Sequence, residues 1–281
     1  MEEVAKNRLR LWLRSEKAFG LTDVALPRRS AQAVEESGEC TGLAQKPEEQ
    51  LPEPIFAKVA APNEIAPRGG LVAPPSRGPF TAPILDGEQK IKRLVALDSN
   101  EVRGCTRCRL CEARTNTVFG EGDADAKFFF IGEGPGETED QTGRPFVGRA
   151  GELLTKMIGA MGLKREQVYI ANIVKCRPPG NRCPAPDEVA TCTPYLERQI
   201  EIIRPKVIVT LGLPAARYML NTNLSMTRLR GQWHEWRGIK LMPTFHPAYV
   251  LRQYTADVRA KVWSDLQSVL SELGLPIPKQ K

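Results

Sequence analysis

The feature that most constrains the fold is a regular alternation of short apolar runs with amphipathic helical stretches, which begins near residue 91. The apolar runs are strand candidates at residues 127–131, 168–174, 207–211 and 239–245. Helical patterns lie between them, and a long one over residues 256–273 follows the last strand. Strands that alternate with helices form a mostly parallel sheet with helices on both faces. We therefore predict a three-layer α/β/α domain over residues 91–275, with a central, mostly parallel four-stranded sheet.

The first ninety residues have a different composition. Nine of the 23 prolines fall within residues 47–83, and no apolar periodicity persists there. A segment of this kind buries too little apolar surface to fold, so we expect residues 1–90 to be a largely disordered extension. Residues 5–18 can form a short helix with Leu9, Trp12 and Leu13 on one face. This helix is either a docking element for a protein partner or a helix that packs on its own domain.

The basic charge lies in the part that we expect to fold. Residues 91–281 carry 28 Lys and Arg against 20 Asp and Glu, whereas residues 1–90 carry 12 against 13. A basic domain favours a polyanionic partner such as nucleic acid, and a merely solubilising surface is the alternative. No apolar run approaches the ~18 residues that a membrane-spanning helix needs. The N-terminus also lacks the apolar core of a secretory signal, so we expect a cytoplasmic protein with no membrane partner.

Seven cysteines in such a compartment favour a metal site over disulfides. Cys105 and Cys108 form a Cys-x-x-Cys pair, whereas Cys176 and Cys192 are widely spaced. Four thiolates gathered from distant segments suit either zinc or a [4Fe–4S] cluster, and spacing alone leaves the metal open. The remaining cysteines are Cys40, Cys111 and Cys183.

Polar and glycine-rich residues follow the predicted strands directly. They are the glycine-rich loop that begins at Gly132, then Gly212 and His246, whereas Asn172 lies near the end of its predicted strand. The carboxyl ends of parallel strands share one edge of a sheet, where ligands bind. His234 and His246 are the two histidines of the chain, and His246 is the one that follows a strand. We therefore expect any imidazole chemistry to use His246.

Four segments carry a resemblance to a known family. In order they read GEGPGE at 132–137, TGRPFVGRAG at 142–151, NIVKCRPP at 172–179 and HPAY at 246–249. With the cysteines, these motifs make residues 95–273 resemble the family 4 uracil-DNA glycosylases, the bacterial and archaeal type with an iron–sulfur cluster. The resemblance implies release of uracil by hydrolysis of its N-glycosidic bond in single- or double-stranded DNA. It also implies an abasic product and a monomer. The N-terminal helix lies outside the resemblance, and its apolar face makes a repair or replication protein its candidate partner.

The resemblance further implies a role for individual residues. The [4Fe–4S] cluster would be held by Cys105, Cys108, Cys176 and Cys192. In the base pocket, Phe146 would stack on a flipped uracil, Asn172 would read its pyrimidine edge, and His246 would donate to its O2 atom. Gly132 and Gly134 would belong to the substrate loop.

Roles near the sugar and the DNA strand are also implied. Glu139 is the expected helper of the water and Glu133 the expected contact to substrate or loop backbone. Leu251 and Arg252 are candidates for the wedge that fills the space left by the flipped base. Lys175, Arg177 and Arg182 could contact phosphates.

Two alternative functions remain at this point. A covalent uracil-DNA trap, as in the family's UdgX-like branch, would need an inserted histidine in the loop after residue 175, and this chain has none there. A non-enzymatic iron–sulfur DNA-binding protein or polymerase accessory would need neither Asn172 nor His246. The presence of both residues favours the glycosylase.

Overall fold

The computed structural model describes residues 78–278. The predicted helix at residues 5–18, the proline-rich segment up to residue 77, and Cys40 lie outside the described residues. Residues before the predicted boundary at residue 91 also contact the domain. Phe80 packs on Trp236, with ring centroids 5.8 Å apart. None of the described helices is long and apolar enough to cross a membrane.

The helices and strands follow one another in the expected alternating order. The strands are β1 (Glu121–Gly122), β2 (Phe128–Gly132), β3 (Tyr169–Asn172), β4 (Val207–Leu211), β5 (His234–Trp236) and β6 (Ile239–Thr244). The α-helices are α1 (Gly87–Leu97), α2 (Glu137–Thr142), α3 (Arg149–Ala160), α4 (Pro186–Ile203), α5 (Leu213–Leu220), α6 (Met226–Leu229), α7 (Pro247–Arg252) and α8 (Ala256–Glu272).

The sheet has six strands in the order β1-β3-β2-β4-β6-β5, so the predicted number of four is wrong. The four predicted strands are present, and they form a parallel centre in the order β3-β2-β4-β6. A short antiparallel strand is added at each edge. With two and three residues, β1 and β5 are too short to produce a periodic pattern.

Alternation along β2 separates two hydrophobic layers. Phe129 and Ile131 pack into a cluster that includes residues of α1 and α4. Phe128 and Phe130 pack into a second cluster on the other face, with residues of α3 and α8. All residues of β2, β3 and β4 are buried. The three-layer α/β/α arrangement predicted from the sequence is confirmed.

The parallel centre brings four loops to one edge. Gly132 at the end of β2 pairs with Asn172 at the end of β3, and Leu211 at the end of β4 pairs with Thr244 at the end of β6. The loops that follow these residues therefore start side by side, as the strand pattern predicted.

Helix α3 begins in close contact with the loop before it. A Cβ atom added at Gly151 would lie 1.9 Å from the backbone carbonyl carbon and oxygen of Phe146. Phe146 itself has a φ of 50°, in the left-handed region that non-glycine residues rarely adopt. Gly151 thus permits a backbone approach that fixes Phe146.

We predict that Gly151→Ala destabilises the protein by about 1–3 kcal/mol, because the new methyl group must displace the Phe146 backbone. Gly159→Ala is the matched control in the same helix, since its Cβ would have no neighbour within 4 Å. The free energy of unfolding of the control should rise by about 0.5–1 kcal/mol, because alanine has a higher helix propensity than glycine. Thermal unfolding of both variants measures the difference, and equal Tm values would contradict the close contact.

Candidate active site and cysteine cavity

A cleft of about 670 Å³ opens at the carboxyl ends of the parallel strands. The predicted site residues that line it are Glu133, Gly134, Glu139, Phe146, Asn172, His246 and Arg252. Its lining also includes Met226 and Thr227 of α6, which the sequence analysis did not identify. Because α6 has only four residues, no periodic pattern marked it.

Gly132 lies against both Asn172 and Phe146, the two residues predicted to contact the base. A Cβ atom at this position would lie 2.3 Å from the Asn172 Oδ1 atom and 2.5 Å from the Phe146 ring. Asn172 is 1% exposed, and its Oδ1 atom has no hydrogen-bond partner among the described residues. A buried acceptor without a partner costs about 1–3 kcal/mol, which a bound donor would recover.

Glu139 holds the loop that carries Phe146. Its Oε1 atom accepts hydrogen bonds from the backbone N–H groups of Val147 at 2.9 Å and Gly148 at 2.8 Å. Gly148 is the N-cap of α3, so the carboxylate also lies where the helix dipole favours negative charge. Glu139 therefore orders the loop between Phe146 and α3.

Glu133 presents a different environment. It lines the cleft, and its Oε1 atom is buried without a hydrogen-bond partner among the described residues. A hydrogen bond to the Glu133 carboxylate, and then its negative charge, raises the pKa of the exposed Cys183 thiol. Gly134, the next residue, packs closely on Val174, since a Cβ atom there would lie 2.9 Å from the Val174 Cγ2 atom. The glycine keeps this wall of the cleft free of a side chain.

His246 follows β6 and is the N-cap of α7, as its predicted position at the sheet edge required. The Nδ1 atom accepts a hydrogen bond from the Ala248 N–H at 3.1 Å. In the neutral ring the proton is therefore on Nε2, which makes this atom a donor. The His246 pKa is lowered to about 4, mainly by burial and also by the positive charge of Arg252, while Glu139 opposes the shift. The imidazole is neutral at pH 7.

The two wedge candidates lie in different surroundings. Arg252 is exposed and lines the cleft. Leu251 is partly buried and packs against the hydrophobic cluster on the α3–α8 face of the sheet. The structure thus brings Arg252 to the cleft, whereas Leu251 packs toward the core.

A second, smaller cavity gathers cysteines. It is lined by Cys105, Cys108, Cys176 and Cys192, the four that the resemblance selects. Cys111 and Cys183 do not line it. Arg114 Nη1 lies 3.1 Å from the Cys176 sulfur, and the Tyr195 hydroxyl lies 3.5 Å from the Cys105 sulfur.

The chemistry of these thiols fits a metal cluster. Burial raises the pKa of Cys176, and it raises the pKa of Cys192 to about 12. Thiolates at these positions therefore need a positive centre between them, and four thiols from separate segments are the donor set of a [4Fe–4S] cluster. Within residues 78–278, no group of three or more His, Cys, Asp or Glu side chains is close enough for a single metal ion.

Buried Glu188 connects the cysteine segments to the cleft. It accepts two hydrogen bonds from Arg182, at 2.8 and 2.6 Å, one from the Ala185 N–H at 2.7 Å and one from Arg109 at 2.8 Å. The Arg182 hydrogen bonds are the main cause that lowers the Glu188 pKa to about 2. Arg182 lines the cleft, and Arg109 follows Cys108.

One of the three proposed phosphate contacts is wrong. Lys175 is 1% exposed, and its Nζ atom hydrogen-bonds to protein oxygens inside the domain. Burial lowers its pKa to about 8. The sequence could not indicate this, because lysine is almost never fully buried. Arg182 lies at the cleft and keeps access to solvent.

Comparison with known proteins identifies the relatives of this chain. The family model of the uracil DNA glycosylase superfamily matches residues 119–267. A type-4 uracil-DNA glycosylase of Thermotoga maritima is 49% identical over 182 residues, which cover 64% of this chain and 95% of that protein. A type-4 uracil-DNA glycosylase of Sulfurisphaera tokodaii is 46% identical over 194 residues, which cover 66% of this chain and 84% of that protein.

We predict that His246 makes the folded protein less stable in acid. Its folded pKa of about 4 lies below the ordinary 6.5. As pH falls through 6.5, the unfolded chain therefore binds a proton that the folded chain does not. Between pH 7 and pH 5 this should cost about 2 kcal/mol of unfolding free energy. Urea unfolding of the native protein and of His246→Asn at both pH values measures the difference, which should vanish in the variant.

Proposed function

The chain belongs to the uracil-DNA glycosylase superfamily, and on that premise we propose how its cleft releases uracil from DNA. It is a uracil-DNA glycosylase, which hydrolyses the N-glycosidic bond and leaves an abasic site. The observation that carries the assignment of the cleft is the buried Asn172 Oδ1 atom, which has no partner among the described residues and lies next to Phe146. The base must leave the stack to reach this pocket.

Asn172 and Phe146 select the base. The Asn172 Oδ1 atom accepts the uracil N3–H and the amide nitrogen donates to O4, whereas cytosine offers the reversed pattern. A cytosine would leave buried polar groups unpaired, and this is the kind of mismatch that gives strong discrimination. The Phe146 ring stacks on the base. Its backbone is held by the close approach of Gly151 and by the hydrogen bond from the next residue, Val147, to Glu139.

His246 stabilises the departing base. A neutral imidazole with the proton on Nε2 donates a hydrogen bond to uracil O2, where negative charge grows as the glycosidic bond breaks. One preorganised donor of this type is worth about 10²–10³ in rate. The ring is held for this role by the Ala248 N–H on Nδ1 and by close contact with Gly212, whose Cβ atom would lie 3.0 Å from the His246 Cβ atom.

We propose that Glu133 and Glu139 have the reverse of the roles that the resemblance implies. Glu139 uses one carboxylate oxygen for two backbone N–H groups, which supports a role in holding the Phe146 loop. Glu133 keeps a buried oxygen without a partner among the described residues, which supports a role beside the attacking water and the positive sugar. We assign the water to Glu133.

The DNA strand passes the mouth of the cleft. Arg182 and Arg252 line it and supply positive charge for phosphates. Exposed Arg252 fits the space of the flipped base better than Leu251, which packs on the core. We propose that the protein acts as a monomer on uracil-containing DNA.

Cys105, Cys108, Cys176 and Cys192 would hold the [4Fe–4S] cluster. Bound there, the cluster would cross-link the segment before β1 to the segment that follows β3 and to helix α4. The buried Glu188 carboxylate and its arginine partners tie the same segments together beside it. This arrangement supports a structural role for the cluster.

The test of the function uses anaerobically purified protein and a labelled single-stranded oligonucleotide with one uracil. We expect strand cleavage only after alkali treatment, which reveals an abasic site. Without alkali-labile product the glycosylase assignment fails. In that case a protein–DNA band that survives denaturant would indicate a covalent trap, and its absence would indicate a binding protein.

In the same assay, Asn172→Ala and His246→Ala should each lower the single-turnover rate by about 10²–10³-fold. Affinity for a DNA that carries a tetrahydrofuran abasic analogue should change little, because that DNA has no base for either residue to contact. A rate near that of the native protein in both variants would contradict the site. Met226→Leu, in the wall of the cleft, is the control and should remain active.

For the cysteine cavity we predict that Cys105→Ser lowers both the iron content and the Tm. Cys111→Ser is the control, because Cys111 lies close in sequence but does not line the cavity. Iron analysis and visible absorbance measure the cluster, and thermal unfolding measures the stability. A full iron content in Cys105→Ser, or its loss in Cys111→Ser, would overturn the ligand set.

A further inference from the structure

The edge strand β1 separates from β3 just before Asn172. The two strands pair as Glu121 with Ile170 and Gly122 with Tyr169. If that register continued, Phe119 would face Asn172. Instead, the next backbone contact joins the Val118 N–H to the Lys175 carbonyl at 2.7 Å, two residues out of register. The ladder is therefore open beside the residue that reads the base.

Two buried side chains fill this gap. The Lys175 Nζ atom donates to the Asn172 backbone carbonyl at 3.0 Å and to the Gln199 Oε1 atom at 2.6 Å. The Gln199 Nε2 atom donates in turn to the Phe119 carbonyl at 2.9 Å. Lys175 is 1% exposed and Gln199 is 0% exposed. These side-chain bonds replace the ladder between Phe119 and Asn172, and we call Lys175 and Gln199 the strand clamp.

The strand clamp also contacts the cysteine cavity. The Lys175 backbone N–H donates to the Cys192 sulfur at 3.2 Å. Gln199 lies on α4, two turns after Cys192. Lys175 thus contacts Cys192 through its main chain and the end of β3 through its side chain.

We propose that Lys175 is a positioning residue, which holds Asn172 for base reading through the strand clamp. The inference rests on the proposed role of Asn172. The reason is geometric: a shift of about 1 Å in a reacting group costs about 10²-fold in rate. Without a donor from Lys175, the end of β3 has no bond toward Phe119 that would hold the Asn172 backbone in place.

The principal variant is Lys175→Met, which keeps an unbranched side chain of similar length and removes the donor. The backbone N–H to Cys192 remains in this variant, so the iron content should be retained. We expect the single-turnover rate of uracil release to fall about 10²-fold. Inhibition by free uracil should weaken, whereas affinity for tetrahydrofuran-containing DNA should stay within threefold.

Thr193→Val is the matched control. Thr193 is 1% exposed, lies next to Cys192 on α4, and donates only to the Val189 carbonyl of its own helix. Its loss removes one buried hydrogen bond without a link to Asn172. At a similar decrease in Tm, the control should keep the native rate, which separates positioning from general stability.

The outcomes decide the proposal. The proposal is overturned if Lys175→Met releases uracil at a rate within threefold of the Thr193→Val rate. It is also overturned if Lys175→Met loses affinity for free uracil and for abasic DNA to the same extent. If Lys175→Met does not fold, Gln199→Met is judged by the same criteria, because it removes the acceptor of Lys175 and the donor to Phe119. A native protein that releases no uracil would instead refute the proposed function itself.

Discussion

The site depends on the absence of a side chain at Gly132. This residue ends the central strand β2 and pairs with Asn172, so the two parallel strands deliver their last residues to the same point. The Asn172 amide oxygen and the Phe146 ring occupy the space that any Cβ atom at Gly132 would need. A stacking surface and a polar reading group can therefore meet at the floor of one cleft, and the neighbouring loops are built around that meeting.

The cleft contains energetically unfavourable features that a well-packed, fully hydrogen-bonded core would not have. Asn172 and Glu133 each keep a buried oxygen without a partner among the described residues, and Phe146 holds a left-handed backbone. Each feature costs on the order of 1–3 kcal/mol in the absence of a ligand. Burial also lowers the pKa of His246 to about 4, so that below pH 6.5 the ring stays neutral where a solvated histidine would be charged. These costs are concentrated at one strand edge, where bound uracil would offset them.

Sequence reasoning succeeded where a pattern repeats or a motif is contiguous. The four central strands carry apolar runs, Asn172 lies near the end of one and His246 directly follows another, so their convergence could be predicted. The edge strands β1 and β5 are too short for a period, and their pairing depends on contacts across the fold. The loop-holding role of Glu139 and the burial of Lys175 depend on the three-dimensional course of the chain, which residue type alone does not reveal.

The cysteine cavity and the cleft cannot be independent, because one short segment serves both. Between Asn172 and Cys192 the chain provides the amide that we propose reads the base, two of the four cavity cysteines, and Arg182 in the cleft wall. The segment has little regular structure of its own before α4 begins at Pro186. Its shape must come from cross-links: the cysteines at both ends, the Glu188 hydrogen bonds in its middle, and the strand clamp at its start. A cluster that performs no step of the chemistry would therefore still affect how a base is read.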